Sequence, residues 1–315
     1  MSAQNWVLLI VLSLLWGGSF FFIELALTGL PVLSIVWARV AVAATILGIA
    51  LWLTGGRVPR GAAVWGALAV MGLLNNAVPF TLFVMAQGQI TGSLAAILNA
   101  TTPLFTVIVA HVATHDERAG PAKVAGVMLG FGGVVVMLSG SDASGDLWAK
   151  FACLGAALSY GLAGVWGRRF KRMGVAPMTT AFGQLVCSTV IIAPVWLWVD
   201  RPWTLAVPEV TPVLAVAGMA VFSTALAYLI FFRVLAAAGA TNLALVTFLI
   251  PVSATLLGVG LLGEALRAEH LAGFGLIAVG LVAMDGRLLR RRPAWRCAEK
   301  VPGAPDATAK NLIRK

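Results

Sequence analysis

Two stretches of this chain read almost alike: Ala125-Gly126-Val127-Met128-Leu129-Gly130-Phe131-Gly132-Gly133-Val134-Val135-Val136-Met137 and Ala272-Gly273-Phe274-Gly275-Leu276-Ile277-Ala278-Val279-Gly280-Leu281-Val282-Ala283-Met284. Ala125, Gly126, Leu129, Gly133, Val135 and Met137 meet Ala272, Gly273, Leu276, Gly280, Val282 and Met284 without a gap. Apolar stretches agree by chance, but spaced glycines do so less easily. The likeness also extends upstream. Pro103 corresponds to Pro251, and on the same interval Phe83 meets Phe231 and Ala96 meets Ala244; after one residue of slippage Glu117 meets Glu264. A chain that repeats itself over this length is built from two like halves.

Composition says what surrounds the halves. Hydrophobic residues make up 60% of the chain and charged residues only 11%, against roughly 25% charged in an ordinary soluble domain. A water-facing surface cannot be assembled from this sequence, so lipid must serve as solvent. A helix needs about 20 apolar residues to cross the hydrocarbon, and the pattern predicts ten spans near residues 6–28, 32–53, 64–87, 91–113, 122–138, 148–167, 177–199, 212–236, 242–262 and 270–284. The fold class expected is therefore an all-α integral membrane protein of ten transmembrane helices. Its first repeat covers residues 6–139 and its second 148–286. Five is odd, so the second half must enter the membrane upside down. Inverted five-helix repeats are the architecture expected of alternating-access carriers.

Charge placement sets the topology. With the amino terminus inside, Arg57, Arg60, Arg118, Lys123, Arg168, Arg169, Lys171, Arg172 and Arg233 fall in cytoplasmic connections, while outer ones hold only Lys150, Arg201 and Arg267. The positive-inside rule then puts both termini in the cytoplasm, in a bacterial-type inner membrane. Residues 292–315 mix Pro, Ala and charge and read as a disordered basic tail beside anionic headgroups. No basic residue precedes the first apolar run, which is too long for a signal core and reads as a retained span. The net charge of +10 follows from topology and calls for no nucleic-acid partner. Cys153, Cys187 and Cys297 have no metal-ligand spacing, and neither a metal nor a cofactor is expected.

The chain resembles the drug/metabolite transporter superfamily and, within it, the proteins with two EamA domains. The residues that carry the likeness are Trp16-Gly17-Gly18-Ser19-Phe20, Ala38-Arg39-Val40, Leu98-Asn99-Ala100-Thr101-Thr102-Pro103, Ile250-Pro251 and Leu262-Gly263-Glu264. It covers about residues 6 to 286. The resemblance implies secondary transport of a small-molecule substrate, with spans 5 and 10 away from the pathway. Relatives often carry Lys where this chain has Glu24.

Glu24 and Arg39 are the sharpest site signals, because an ionisable group inside a span costs roughly 2.5–3.5 kcal/mol on insertion scales and faces a partner or water. Two readings stand with equal weight: a structural ion pair across the first hairpin, or contact with a charged substrate group, with Glu24 as the candidate for coupling to protons. Trp16, Phe20 and Glu24 recur every four residues and share one helix face, suited to a cavity wall. Asn75 and Asn76 lie mid-span, and Pro79 removes a backbone donor one turn later; they read as a mid-membrane polar site or as interhelical glue. Asn99 beside Pro103 and Thr247 beside Pro251 hold repeat-related places. Ser159, Tyr160, Ser223, Thr224 and Tyr228 complete the candidate lining, and Pro79, Pro103 and Pro251 are the candidate breaks or hinges. Gln87 and Gln184 are weaker, Gln87 being expected at the outer interface. Glu117 and Glu264 are expected to cap spans 5 and 10. Asp285, near Arg287 and Arg290, reads as a neutralised interfacial charge, and His111, His115 and His270 form no constellation.

Rival classes fare worse. No Gly-Lys pair exists to form a phosphate-binding loop, so the energy must come from a gradient. Neither a Gly-x-Ser-x-Gly nor a His-Glu-x-x-His motif suggests an enzyme. A secondary active transporter, in the exporting direction, of small metabolites such as amino acids is expected. A proton-independent exchanger and a passive facilitator or channel are the alternatives.

Overall fold

The computed structural model describes residues 2–113, 120–139 and 144–285. His115, Glu117, Arg118, Arg287, Arg290, Cys297 and the 292–315 tail lie outside the described residues, as does the side chain of Asp285. Among the described residues every regular element is a helix and none is a strand. Eight apolar helices are long enough to cross a membrane: Ala3–Leu27 (span 1), Val32–Leu53 (span 2), Ala62–Gln87 (span 3), Gly92–Ala113 (span 4), Pro121–Leu138 (span 5), Asp146–Arg172 (span 6), Pro177–Val199 (span 7) and Val210–Ala238 (span 8). Two shorter apolar helices follow, Val246–Leu262 (span 9) and Ala268–Met284 (span 10). The mean hydropathy of the long helices reaches 2.3, and helices satisfy every backbone group internally, as lipid requires.

The span-to-span packing is paired. Span 1 packs on span 9 as span 6 packs on span 4, span 3 on span 7 as span 8 on span 2, and span 1 on span 8 as span 6 on span 3; spans 5 and 10, 2 and 7, and 4 and 9 pack on each other. Exchanging each of the first five spans with the one five later maps this set onto itself. The close approaches follow the same rule. A Cβ on Gly17 would collide with Ser253 and lie 2.8 Å from the Ala254 nitrogen, and one on Gly161 would lie 3.0 Å from the Thr106 nitrogen beside Phe105. Ser253 and Phe105 stand on the interval that separates Pro103 from Pro251. Ser253 also donates to the Ser13 carbonyl at 2.6 Å. Spans 5 and 10 touch backbone to backbone: a Cβ on Gly126 would lie 2.5 Å from the Gly280 oxygen, and one on Gly133 the same distance from the Gly273 oxygen. With little hydrophobic drive between helices in lipid, such small-residue contact is the main source of attraction.

The three prolines expected at breaks or hinges differ from one another in what they do to their helices. Span 3 stays continuous through Pro79 by widening into a π turn at Leu73–Ala77. In that turn the Val78 N–H bonds the Leu73 oxygen, five residues back. The same pattern would give the Leu74 carbonyl to the nitrogen of Pro79, which has no hydrogen. Ser159 of span 6 takes that carbonyl instead, at 2.7 Å. Span 8 has a π turn at Met219–Leu226, on the matching interval but without a proline, and there Thr224 donates its hydroxyl to the Met219 oxygen at 3.1 Å. Span 4 is interrupted at Ala100 and Thr101, between Gly92–Asn99 and Thr102–Ala113, so Pro103 falls in a first turn where a missing N–H is harmless. Pro251 lies inside an unbroken helix, Val246–Leu262, and the interruption of span 9 falls earlier, at Ala244 and Leu245.

Helix ends are closed by carboxylates from distant segments. Glu264, expected to cap span 10, instead accepts the N–H groups of Gly92 and Ser93 at 3.1 and 3.0 Å, capping span 4. Gly263, at φ +69°, turns the chain after span 9 so that this carboxylate can return. Asp200 likewise accepts the Ser34 N–H and hydroxyl at 2.6 and 2.8 Å at the start of span 2. Lys150, expected in an outer connection, is buried: it pairs with Asp146 at 3.1 Å and donates to the Met137 carbonyl.

Candidate substrate site

Between the two groups of spans lies one buried polar constellation. Span 2 brings Arg39, 5% exposed, whose Nε donates to the Thr224 hydroxyl at 3.0 Å. Its guanidinium lies 3.7 Å above the centre of the Phe80 ring, a cation–π contact strengthened by the dry surroundings. The Tyr160 and Tyr228 phenols lie close enough to Arg39 to sense its charge. The Tyr228 hydroxyl accepts from Asn75 at 3.0 Å and from Gln184 at 2.9 Å, and Asn75 donates a second bond to the Gln184 oxygen at 3.3 Å. Asn76 lies beside the same hydroxyl. Yet its amide nitrogen and oxygen make no hydrogen bond of good geometry, although the residue is fully buried; the Ser223 hydroxyl is also buried without a partner. Orphaned amides are rare in interiors, because each costs the loss of its water.

Each arm of this constellation has a reason in the local fold. Asn75 and Asn76 occupy the π turn of span 3, Ser223 and Thr224 that of span 8. A π turn shifts the side-chain register of a helix and recurs at functional sites. Here it turns two adjacent polar residues of each span towards the middle of the bundle.

Aromatic rings flank the polar centre. Trp16 meets Phe231 at 5.6 Å between centroids, and Tyr160 meets Phe83 at 6.2 Å. Phe83 and Phe231 stand on the repeat interval, so the two pairs are counterparts. Phe20 closes edge-on against Phe83 at 5.5 Å, and Phe232 lies between Tyr228 and Phe231. Tyr160 packs against both large apolar cores, one centred on spans 1, 4, 6 and 9 and the other on spans 1, 2, 3, 7 and 8.

Of the residues singled out in the sequence, Arg39, Asn75, Asn76, Tyr160 and Tyr228 are gathered here, with Trp16 and Phe20 in the flanking walls. Glu24 is not paired with Arg39. It accepts from Gln87 at 3.5 Å, and Gln87, buried rather than interfacial, also donates to the Phe20 carbonyl at 2.9 Å. The ion-pair reading of the first hairpin therefore falls, since Arg39 points to span 8 and to Phe80. Asn99 accepts from Thr102 at 3.2 Å across the span 4 interruption, and Thr247 donates to its own backbone at Ala244; no recorded contact brings either to the constellation. Gln184, Thr224 and Phe80 carry more of the centre than their sequence context suggested. The clue was present for Phe80, which lies on the repeat interval from Tyr228.

Two hollows open elsewhere. One of about 550 Å³ is lined by Thr28, Pro31, Pro202, Val207, Glu209 and Pro212 at the bundle end where spans 1 and 7 finish. The other, about 320 Å³, lies between Ala41, Gly48, Phe182 and Val190 of spans 2 and 7.

Comparison with known proteins gives one consistent picture. The pattern of the EamA-like transporter family matches residues 4–139 and again 144–284. The chain is 29% identical over 291 residues to the uncharacterized inner membrane transporter YedA of Escherichia coli K12, covering 90% of this chain and 92% of that protein. It is 27% identical over 233 residues to the protein PecM of Dickeya dadantii, covering 71% and 75%. It is 25% identical over 283 residues to the uncharacterized transporter YyaM of Bacillus subtilis, covering 86% and 88%. One solved crystal structure, 20% identical, superposes with a TM-score of 0.65 over 93% of this chain and 99% of that one, a likeness of fold.

Proposed function

This chain belongs to the EamA-like transporter family, and we propose that it is a secondary active exporter of small metabolites, amino acids or related compounds, working by alternating access in a bacterial inner membrane. The observation that carries this reading is the constellation of Arg39, Asn75, Gln184, Thr224 and Tyr228, buried at the middle of the bundle and assembled from spans 2, 3, 7 and 8. Polar groups at that depth are costly, and in carriers they mark the cargo path. Under this reading the two family-matched stretches are inverted halves. Their paired packing gives each arrangement open to one side a counterpart open to the other.

Both termini lie in the cytoplasm in this reading. Glu24, half-buried beside Gln87, is the group that takes up a coupling proton. Spans 5 and 10, joined through glycines, hold the halves together while the other spans rock about the site. The relatives named as transporters support transport over catalysis.

The test is counterflow in proteoliposomes loaded with a mixed pool of amino acids and other small metabolites, with and without a pH gradient. Saturable exchange of one compound, accelerated by the gradient, is the expected result. Unsaturable leak through folded protein replaces the carrier with a passive facilitator.

A further inference from the structure

Arg39 is a buried cation with no counter-ion. Its recorded partners are a neutral hydroxyl, that of Thr224, and a ring face, that of Phe80. Among the described residues no carboxylate forms an ion pair with it. The carboxylate that sequence reasoning offered, Glu24, is held by Gln87, and its electrostatic neighbour is Glu264. A guanidinium cannot shed its proton to relieve the strain of burial, because its solution pKa is above about 12. In a dry interior an ionised group that meets no opposite charge is costly to hold, and a hydroxyl and a ring face offset only part of that cost.

Gln184, the residue that span 7 brings to the same centre, is neutral, so among the described residues the centre has one fixed positive charge and no fixed negative one to cancel it. Beside that charge are the Ser223 hydroxyl, buried without a hydrogen-bond partner, and the Asn76 amide, which has the Tyr228 hydroxyl near it but no bond of good geometry. Beyond them stand the Trp16–Phe231 and Tyr160–Phe83 ring pairs.

We propose that the cargo is a small organic monoanion, a monocarboxylate with an apolar body, whose carboxylate supplies the charge that Arg39 lacks and whose body lies against the two ring pairs. The inference rests on the transport reading only in placing a cargo at this site. It keeps the small-metabolite part of that reading and departs from its amino-acid part: a zwitterion would bring an ammonium group to a centre that already holds a guanidinium and, among the described residues, offers no carboxylate to receive it. A carboxylate in plane with the guanidinium can accept two charge-assisted bonds, which a carboxamide cannot match.

The test is direct binding to the purified full-length protein in detergent, followed by thermal unfolding, with one matched set of probes: 3-phenylpropionate, 3-phenylpropionamide, 3-phenylpropylamine and phenylalanine. The acid is expected to half-saturate at a concentration at least about tenfold below that of the amide, the amine or the amino acid. In Arg39→Gln the acid and the amide are expected to converge. If that variant does not fold, the wild-type series still decides. Equal or tighter binding of the amide, the amine or phenylalanine overturns the proposal, and so does the absence of saturable protection by the acid up to on the order of 10 mM. Counterflow separates this from the transport reading. Arg39-dependent binding of the acid without flux would sink transport and leave the anion site standing, whereas saturable flux of neutral or cationic solutes alone would do the reverse.

Discussion

Gln184 stands to Tyr228 as Arg39 stands to Phe80: Gln184 of span 7 bonds the Tyr228 hydroxyl at 2.9 Å, and Arg39 of span 2 covers the Phe80 ring at 3.7 Å. Phe80 and Tyr228 are separated by the interval that links Pro103 to Pro251, so Arg39 and Gln184 meet repeat-related residues, one through a ring face and the other through a phenol hydroxyl. The first contact has a charge and a ring; the second has an amide and a phenol. The centre therefore carries its charge on one side only, and a cargo with one charged end has one preferred orientation in it.

That relationship makes the charge relocatable. Arg39→Gln is expected to raise the apparent KM for an anionic cargo about tenfold or more, since a hydrogen bond to a charged group is worth about 1.5–3 kcal/mol. The double variant Arg39→Gln with Gln184→Arg is expected to recover part of that loss in counterflow, because the position of Gln184 presents its charge to the same centre. A double variant no better than the single one shows that the two places are not equivalent.

Pro79 and Ser159 are predicted to be coupled. Ser159→Ala removes the donor to the Leu74 carbonyl and is expected to destabilise by about 1–3 kcal/mol, the cost of an unsatisfied buried acceptor. Replacing Pro79 with Ala restores a backbone N–H that can take that carbonyl. Thermal unfolding of the two single variants and the double variant should therefore show a double loss smaller than the sum. Strict additivity rules out the shared carbonyl.

The glycine contacts of spans 5 and 10 give a paired control. Gly133→Leu and Gly126→Leu drive side chains into the Gly273 and Gly280 carbonyls, and a loss of about 1–3 kcal/mol or non-folding follows from overpacking. Gly132→Ala, with open space around it, is expected to leave the melting temperature in place. A lowered melting temperature for Gly132→Ala would show that it faces a neighbour.

Glu264 is predicted to act on stability and not on cargo affinity. Glu264→Ala leaves the Gly92 and Ser93 N–H groups at the head of span 4 without acceptors and should cost about 0.5–2 kcal/mol. Glu264→Gln, which retains one acceptor oxygen, should cost less. Both are read by thermal unfolding, with the KM in counterflow unchanged; a large KM shift would place Glu264 on the cargo path.

Glu24→Gln is expected to abolish the acceleration of counterflow by a pH gradient while leaving exchange without the gradient intact. Unchanged gradient dependence in a folded variant ends the coupling role for this carboxylate.

The apolar stretches, their number and the spaced matches between residues 125–137 and 272–284 determined what kind of molecule this is, because burial in lipid and backbone satisfaction leave a chain of such composition no choice but helices. The glycines of spans 5 and 10 and the polar pairs Asn75–Asn76 and Ser223–Thr224 were legible for the same reason: in an apolar helix a small or polar residue stands out against its neighbours. Partnership was not legible. Glu24 and Arg39 sit at reachable depths on adjacent spans, yet one turns to Gln87 and the other to Thr224 and Phe80. Glu264 caps span 4 rather than the span that follows it, and Pro79 produces a π turn answered by Ser159 rather than a break. Sequence gives each helix its depth and its polar residues, but the rotation of a helix about its axis is set by neighbours far away along the chain. Which side chains meet at the centre of the bundle is therefore decided only when all ten spans are packed.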